Sequence, residues 1–254
     1  MATSPDITIL STFAGDILMD ERGTMKSVQR GGPAFYLTQE ATKSGVLFAL
    51  RSGPDISVEI SVTPQGEQGR VSIRPAKVPV SFAQIKTPYL VISTILDEYD
   101  LTDLPSYKGE VYVDIQGYVR DGDYFGRKKR WNIPFAIQEK IWCLKGTELE
   151  VSFLPLEVLM RQKQKMLLVT YGKEGCEVFV QGASSFFKPT KVIQSAQAIG
   201  AGDTFFFAFI FKWIQTKDVE QSGVYANEQA GAFLASRHSH PPFFGEEMGV
   251  DLPS

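Results

Sequence analysis

Short apolar runs separated by polar or helix-compatible segments dominate the second half of the chain. Four of these runs read PYLVISTIL, EVYVDIQ, KIWCLKG and KMLLVTYG, and a segment of helical composition, 148–164, separates the last two. Buried apolar strands that alternate with helices are typical of parallel sheets. The pattern therefore predicts an α/β fold with a mostly parallel central sheet flanked by helices.

The first half has a different pattern. Residues 6–13 form a β-branched run that predicts a strand, with Asp16 in the polar turn behind it. A second run, 23–29, leads into the double glycine Gly31-Gly32, and the residues that follow have helical composition after a proline. A proline in this place favours the first turn of a helix. The double glycine is therefore interpreted as a strand-to-helix turn.

Alternating polar and apolar residues continue between 58 and 80. This alternation predicts exposed antiparallel strands. We expect a single domain over residues 1–254, with a small β flap or lid formed by about residues 16–30 and 56–80.

The composition is that of an ordinary folded protein. Of 254 residues, 43% are apolar and 22% charged, and the net charge of −3 argues against disorder and against a general attraction to nucleic acid or membrane. The longest apolar stretch, 205–211, is too short to span a bilayer, and the N-terminus does not resemble a signal peptide. Two cysteines, Cys143 and Cys176, are too few for a disulfide framework. We expect a cytoplasmic protein, monomeric or homodimeric, with small-molecule ligands and with neither nucleic acid nor membrane partners.

A glycine-rich helix start carries the strongest chemical signal. Gly200, Ala201 and Gly202 precede Asp203 and an apolar helix, 205–214. With so little side-chain bulk, the backbone amides can approach an anion, and the helix N-terminus adds partial positive charge. An aspartate repels phosphate but can serve as a base for an incoming hydroxyl. On these residues alone, the alternative is a tightly packed helix that Asp203 caps.

The segment GAGDTF, 200–205, resembles the C-terminal signature of the ribokinase, or PfkB, family of carbohydrate kinases. Further segments match in order from Asp16 to Asn227, so the resemblance covers nearly the whole chain. It implies a ribokinase-like three-layer α/β fold, with ATP and Mg²⁺ used to phosphorylate a hydroxyl of a small polyol, sugar or cyclitol. The implied catalytic residues are Asp203, as base, with Gly200, Ala201 and Gly202 around the transferring phosphate.

The resemblance also implies ligand-binding residues. Those for the substrate are Asp16, Gly31, Gly32, Gln116 and Arg120. Those for the nucleotide are Thr147, Thr170, Gly172, Gly175 and Asn227, and Glu150 is implied near magnesium. Arg120 is favoured independently, because it follows a strand end and its guanidinium offers several donors to phosphate or hydroxyl groups.

Departures from the family pattern bear on the substrate. Thr147 replaces an asparagine, Gln197 lies where a carboxylate is common, and bulkier residues replace an asparagine after the double glycine. The segments 114–120 and 145–150 are most similar to the inositol-kinase branch, so a myo-inositol-like substrate is expected. Two alternatives stay open, a kinase for another sugar or nucleoside and a non-catalytic nucleotide- or sugar-binding descendant. The basic run 127–130 is interpreted as a solvated loop.

Overall fold

The structure is a computed structural model and describes residues 5–20, 22–63, 66–71, 73–193 and 198–238. Its strands are β1 (Ile7–Ser11), β2 (Ala14–Met19), β3 (Met25–Gly31), β4 (Phe48–Arg51), β5 (Ile56–Thr63), β6 (Gly66–Val71), β7 (Tyr89–Ser93), β8 (Glu110–Asp114), β9 (Ile141–Thr147), β10 (Met166–Thr170), β11 (Cys176–Val180) and β12 (Ala183–Phe187). Its α-helices are α1 (Gly32–Lys43), α2 (Gln116–Val119), α3 (Phe135–Lys140), α4 (Glu148–Val151), α5 (Leu156–Gln164), α6 (Ala201–Thr216) and α7 (Val219–His238).

An eight-stranded sheet forms the centre of the molecule, in the order β12-β11-β10-β9-β8-β7-β1-β4. The six strands from β10 to β4 in that order pair in parallel, and β11 and β12 are antiparallel. The four apolar runs of the second half are β7, β8, β9 and β10, so the predicted parallel sheet is confirmed. Because these strands run in one direction, their carboxyl ends meet at one edge.

Alternate residues of the parallel strands face two different hydrophobic cores. On β8, Tyr112 belongs to the core that includes α1, α6 and α7, whereas Val111 and Val113 belong to the core that includes α3 and α5. On β10, Leu168 and Leu167 divide in the same way. Helices therefore cover both faces of the sheet, which gives the predicted three layers.

Helix α6, which follows the glycine-rich segment, is buried along most of its length. Its buried residues include Phe205, Phe206, Phe207, Phe209 and Ile210. A helix that is apolar on all sides is stable only inside a protein, and α6 packs against α1, α7 and the sheet. Among the described residues, no helix combines the length and apolar character needed to cross a membrane.

A four-stranded sheet, which we call the lid sheet, has the order β3-β2-β5-β6. Its apolar residues Ala14, Ile56 and Val58 belong to one cluster with Ile95 and Leu96, which follow β7. Strands β5 and β6 are antiparallel, as the alternating pattern predicts, and β2 pairs with β5 in parallel. The lid sheet therefore packs directly on a loop at the carboxyl edge of the main sheet.

The prediction for the first strand is wrong in one respect. The pattern predicts a strand over 6–13 and a turn at Asp16 behind it. In the structure, the first strand, β1, ends at Ser11, and a second strand, β2, begins at Ala14 where the turn is predicted. Asp16 lies within β2, paired with Gln29 of β3 on one side and with Val58 of β5 on the other. Strand β2 contains Gly15 and Asp16, which have low strand propensity, so its pairing with segments distant in sequence defines it.

The double glycine provides a test of this packing. Gly32 has φ +79, and a Cβ there would lie 2.5 Å from Ala14 N and 2.8 Å from Thr12 O. Gly45 has a similar φ of +70 but no atom within 4 Å of the same position. Gly45→Ala should therefore cost only left-handed strain, about 1–2 kcal/mol of the free energy of unfolding.

Gly32→Ala adds overlap with backbone atoms and should cost roughly 2 kcal/mol more than Gly45→Ala. Urea denaturation of the two variants measures the difference. Equal losses of stability would show that the backbone does not approach Gly32 closely.

Candidate active site

Polar side chains from neighbouring parallel strands meet the start of α6. Ser93 ends β7, Asp114 ends β8, and Lys145 lies near the end of β9. Asp203 lies in the first turn of α6, and its Oδ1 accepts a hydrogen bond from Ser93 Oγ at 3.2 Å. The predicted base therefore lies at the edge of the sheet where α/β proteins bind ligands.

The glycine-rich turn before α6 leaves backbone amides unpaired. Gly200 has φ +89 and ψ −10, a left-handed conformation that favours glycine. The Ala201 amide donates to Ala198 O at 3.1 Å, so the predicted role of that amide in holding phosphate is not available in this arrangement. Within the described residues, the amides of Gly202 and Asp203 have no acceptor. These two amides are a candidate anion site at the N-terminus of the helix.

The protonation of Asp203 is set by its surroundings. The residue is partly exposed, but its carboxyl group lies among protein atoms, and this desolvation, followed by the charge of Asp114, raises its pKa to about 7. Lys145, the hydrogen bond from Ser93 and Arg120 act in the opposite direction. A carboxyl with this pKa takes up and releases a proton near neutral pH, as a general base must.

Asp114 and Lys145 form a buried ion pair next to the helix start. They are opposite each other in the β8–β9 register, with 2.7 Å between Lys145 Nζ and Asp114 Oδ2. Burial works against the ammonium, but Asp114, Glu150 and Asp203 outweigh this effect and raise the pKa of Lys145. A Cβ on Gly202 would lie 3.2 Å from Lys145 Nζ. A fixed cation therefore lies beside the unpaired amides, which strengthens the anion site.

Glu150 is held by a capping box at the start of α4. Thr147 Oγ1 accepts from the Glu150 amide at 3.2 Å, and Glu150 Oε2 accepts from the Thr147 amide at 2.9 Å. Lys128 Nζ lies 3.7 Å from Glu150 Oε1. Burial would raise the pKa of Glu150, but Lys145, the Thr147 amide and Lys128 lower it. Glu150 is therefore ionised, and threonine in place of the family's asparagine preserves the cap.

The residues around Glu150 fit a magnesium ion most of whose ligands come from a bound phosphate donor and from water. Magnesium usually keeps several waters and binds one or two carboxylates together with phosphate oxygens. Oε2 of Glu150 is occupied by the Thr147 amide, which leaves Oε1 as the oxygen for a metal. In the part of the chain that the structure describes, no group of three acidic, histidine or cysteine residues is arranged to hold a metal alone.

The predicted substrate residues of the lid sheet, Asp16 and Gly31, lie against each other. Asp16 is 2% exposed, and a Cβ on Gly31 would overlap its carboxylate. Tyr36 is buried on α1, and its hydroxyl accepts a hydrogen bond from Arg237 at 3.1 Å. Burial, above all, raises the pKa of Tyr36, against the effect of Arg237 and with smaller contributions from Asp16 and Asp203. Tyr36 is therefore within electrostatic range of both Asp16 and Asp203.

Gln116 and Arg120 flank the short helix α2. The Gln116 amide donates to Asp114 Oδ1 at 3.0 Å, and the side chain of Gln116 is half-buried. Arg120 Nη1 donates to Ile95 O at 3.1 Å, and its Cζ lies 4.1 Å from the centre of the Phe125 ring. Burial lowers the pKa of Arg120, against the attraction of nearby carboxylates. The structure thus brings Arg120 to the site but leaves Gln116 at its margin.

Four of the predicted nucleotide residues lie at the same edge of the sheet. Thr147 and Thr170 are opposite each other at the ends of β9 and β10. Gly172 has φ +58 and open space around it, in the turn that follows β10. Gly175 closes this turn at φ +117, and a Cβ there would overlap the Phe187 carbonyl. These residues lie next to one another at the ends of β9 and β10 and in the turn after β10, beside α4.

Asn227 has a packing role in the structure. Its Nδ2 donates to Phe187 O at 3.0 Å, which ties α7 to β12. One turn earlier, a Cβ on Gly223 would lie 2.5 Å from the Phe187 ring. Helix α7 therefore packs directly on β12 here, and the predicted contact of Asn227 with a nucleotide stays a prediction.

Two residues of the site were missed in the sequence. Ser93 ends an apolar run without any motif, and only strand order brings it to Asp203. The interpretation of 127–130 as a solvated loop is wrong for Lys128, whose side chain is 10% exposed and lies beside Glu150. The departure noted at Gln197 lies outside the described residues.

Comparison with known proteins agrees with this arrangement. Residues 137–241 match the model of the pfkB family of carbohydrate kinases. Among solved structures, a pyrophosphate-dependent kinase of the ribokinase family, complexed with a pyrophosphate analog and myo-inositol, has a TM-score of 0.68 at 17% identity, over 90% of this chain and 95% of that one. Ribokinase from Arabidopsis thaliana, complexed with ribose and ATP, has a TM-score of 0.70 at 17% identity, over 92% and 93%. A nucleoside kinase from Methanocaldococcus jannaschii has a TM-score of 0.66 at 14% identity, over 91% and 92%.

No curated protein sequence matches the chain. At these identities the structural likeness establishes the fold, and the family match covers the segment from α3 to the end of α7. Residues 137–241 therefore resemble the pfkB family of carbohydrate kinases, and the chain as a whole has the ribokinase-like α/β fold.

Proposed function

We propose that the protein is a kinase that transfers a phosphoryl group to a hydroxyl of a small polyol, with Asp203 as the base. The observation that carries the proposal is the position of the Asp203 carboxyl, whose pKa is about 7, beside an anion site. That site consists of the Lys145 ammonium and the unpaired amide of Gly202. A neutral-pH base next to a phosphate site is what phosphoryl transfer to a hydroxyl requires.

The chemistry follows from these positions. Asp203 accepts the proton of the substrate hydroxyl while the hydroxyl oxygen attacks the terminal phosphorus of the donor. At the same time, the bond between that phosphorus and the oxygen of the leaving phosphate breaks. Lys145 and the Gly202 amide stabilise the negative charge of the transferring group. Ser93 donates a hydrogen bond to Asp203 and orients it, and Asp114 holds Lys145 in place.

Magnesium, when bound with the donor, neutralises charge on the phosphates. Glu150 would hold it through Oε1. The carboxyl group of Glu150 is ionised beside Lys128, so it offers a negatively charged oxygen to a metal ion.

For the acceptor, we propose a myo-inositol-like cyclitol. Asp16 can accept hydrogen bonds from ring hydroxyls, and Arg120 can donate to them. The aromatic ring of Tyr36 packs against Gly200 within electrostatic range of Asp16 and Asp203, where a small polar residue would leave more room. The complex of a structural neighbour with myo-inositol supports a cyclitol.

For the donor, we propose ATP, with pyrophosphate as a second candidate. The resemblance of the turn after β10 and of α7 to nucleotide-binding segments favours ATP. Pyrophosphate is favoured by Asn227, which is expected beside the adenine but uses its amide on the Phe187 carbonyl. The pyrophosphate dependence of one structural neighbour adds weight to the second candidate.

An acceptor and donor panel tests the proposal. We expect kcat/KM to be higher for myo-inositol than for ribose, fructose or adenosine with the preferred donor, either ATP or pyrophosphate. Asp16→Asn should lower kcat/KM for the cyclitol by about tenfold or more, because a buried carboxylate that binds hydroxyls loses charge-assisted hydrogen bonds, while the KM for the donor stays unchanged. Asp6→Asn, the same change at an exposed position, serves as control.

The outcomes of this panel separate the alternatives. A preference for ribose, fructose or adenosine would rule out the cyclitol and leave the kinase. Binding of donor and polyol without phosphorylated product from any pair would contradict the kinase and favour a non-catalytic descendant.

Replacement of the base gives a second prediction. Asp203→Asn should keep the fold and the donor affinity but lower kcat by roughly a hundredfold or more, which is the usual contribution of a positioned general base. Steady-state rates, with thermal unfolding as a check of folding, measure this effect. A turnover within a few-fold of the parent would exclude Asp203 as the base.

The pH dependence of the rate gives a third prediction. Because the pKa of Asp203 is about 7 and only the carboxylate can accept a proton, kcat/KM for the acceptor should rise with pH and level off above neutrality. A profile measured between pH 5 and 9 at constant ionic strength checks the direction. A rate that is flat from pH 5 upward would mean that the base titrates near the ordinary value for aspartate.

A further inference from the structure

A hairpin formed by residues 120–130, which we call the basic hairpin, carries two cations into the site. Arg120 and Lys128 form an antiparallel bridge, and the Asp121 amide donates to Arg127 O at 3.0 Å. Residues directly opposite each other in an antiparallel pair project to the same face. Arg120 and Lys128 therefore lie side by side on one face.

The outward residues of the basic hairpin behave differently. Arg127 pairs with Asp121 at 2.8 Å on an exposed surface. Lys129 lies 3.2 Å from Asp97, an aspartate that other basic residues also surround. Arg127 and Lys129 thus form ion pairs at or near the surface. Arg120 and Lys128, in contrast, turn inward.

Placing two cations side by side away from water is unfavourable unless anions compensate them. Lys128 Nζ donates to Phe125 O at 3.2 Å and lies 3.7 Å from Glu150 Oε1, a long ion pair for a side chain that is only 10% exposed. Glu150 already accepts a hydrogen bond from the Thr147 amide. The ammonium therefore has capacity for a further, stronger acceptor.

The basic hairpin is fixed on its other side by the lid sheet. The Phe125 amide donates to Gly69 O at 2.8 Å, and the Val71 amide donates to Gly122 O at 3.0 Å. Both hydrogen bonds join the basic hairpin to strand β6, which contains Gly69 and Val71. The position of Lys128 is therefore determined by backbone contacts and not by its ion pair alone.

Positive charge accumulates where the donor phosphates are expected. Lys145 lies beside Gly202, Lys128 lies beside Glu150, and Glu150 and Lys145 lie close enough to influence each other. Arg120, Lys128 and Lys145 all act on Glu150, so three cations converge on one carboxylate. An anion with several charges fits this surplus.

We infer that Lys128 is a donor-binding residue, whose ammonium contacts the leaving phosphate of a condensed phosphate, either inorganic pyrophosphate or the polyphosphate of a nucleotide. The inference rests on the proposed function and adds a residue to it. On donor binding, the ammonium exchanges its long contact with Glu150 for a phosphate oxygen, and Glu150 Oε1 becomes accessible to magnesium.

Direct binding of metal-free pyrophosphate, measured by isothermal titration calorimetry at fixed ionic strength, tests this inference. Lys128→Met keeps the length of the side chain and removes the charge, and it should weaken binding by about tenfold or more, as expected when one charge-assisted hydrogen bond is lost. Lys129→Met, the same change on the outward face, should leave the affinity within about twofold because its charge is screened at the surface. Equal effects of the two variants would overturn the inference.

A second pair of variants excludes an effect of leaving Glu150 unpaired. Glu150→Gln should bind metal-free pyrophosphate at least as tightly as the parent, because a repelling carboxylate is removed. Lys128→Met in the Glu150→Gln background should again weaken binding by about tenfold. If the two Glu150→Gln proteins bind equally, Lys128 only neutralises Glu150 and the inference is wrong.

The same titration with metal-free ATP separates the two sources of the phosphate. A loss with both ligands supports contact with their shared phosphate chain, and a loss with only one supports Lys128 as a residue for that donor. These readouts need no turnover, so they test Lys128 even if the protein phosphorylates no polyol. Conversely, an active kinase whose Lys128→Met variant keeps the parental affinity and donor KM would refute this inference and leave the proposed function intact.

Discussion

The burial of charge at the carboxyl edge of the main sheet is the constraint on which the rest of the structure depends. Removing an ion from water costs several kcal/mol unless an opposite charge and hydrogen bonds compensate it. Strand register supplies one compensation, since it places Asp114 opposite Lys145. A helix cap supplies another, since the Thr147 amide binds Glu150. Asp203 is compensated least, and its raised pKa is the direct result.

The packing of α6 determines where the carboxyl group of Asp203 lies. A carboxyl held away from water would reorient toward solvent if the helix could shift. The buried phenylalanines of α6 prevent this, because moving the first turn would disturb the core between α1, α7 and the sheet. At the other end of the turn, Gly200 adopts a conformation that other residues rarely adopt. The hydrophobic core thus serves the chemistry by holding one carboxyl in an unfavourable position.

Features encoded in short stretches of sequence were predictable, and features created by distant pairing were not. Strands β7 to β10 and helix α6 follow from local runs of apolar residues, and the glycine-rich turn follows from its own residues. The local pattern predicts a turn at Asp16, because strand β2 is defined only by its pairing with β3 and β5. The local pattern predicts a solvated loop at Lys128, because a run of basic residues does not reveal which of them a hairpin turns inward.

The residues proposed to act on the transferring phosphoryl group differ from those expected beside the rest of the donor, and this separation bears on donor specificity. In the proposed mechanism, Lys145, Asp203 and the Gly202 amide contact only the transferring group, and this chemistry is the same whatever lies beyond the leaving phosphate. In the same proposal, the room beyond the leaving phosphate depends on the place where α7 packs on β12 through Asn227 and Gly223. A change in that packing alters the room for an adenine without moving the base. One fold can therefore serve kinases with nucleotide and with pyrophosphate donors, as the structural neighbours of this chain do.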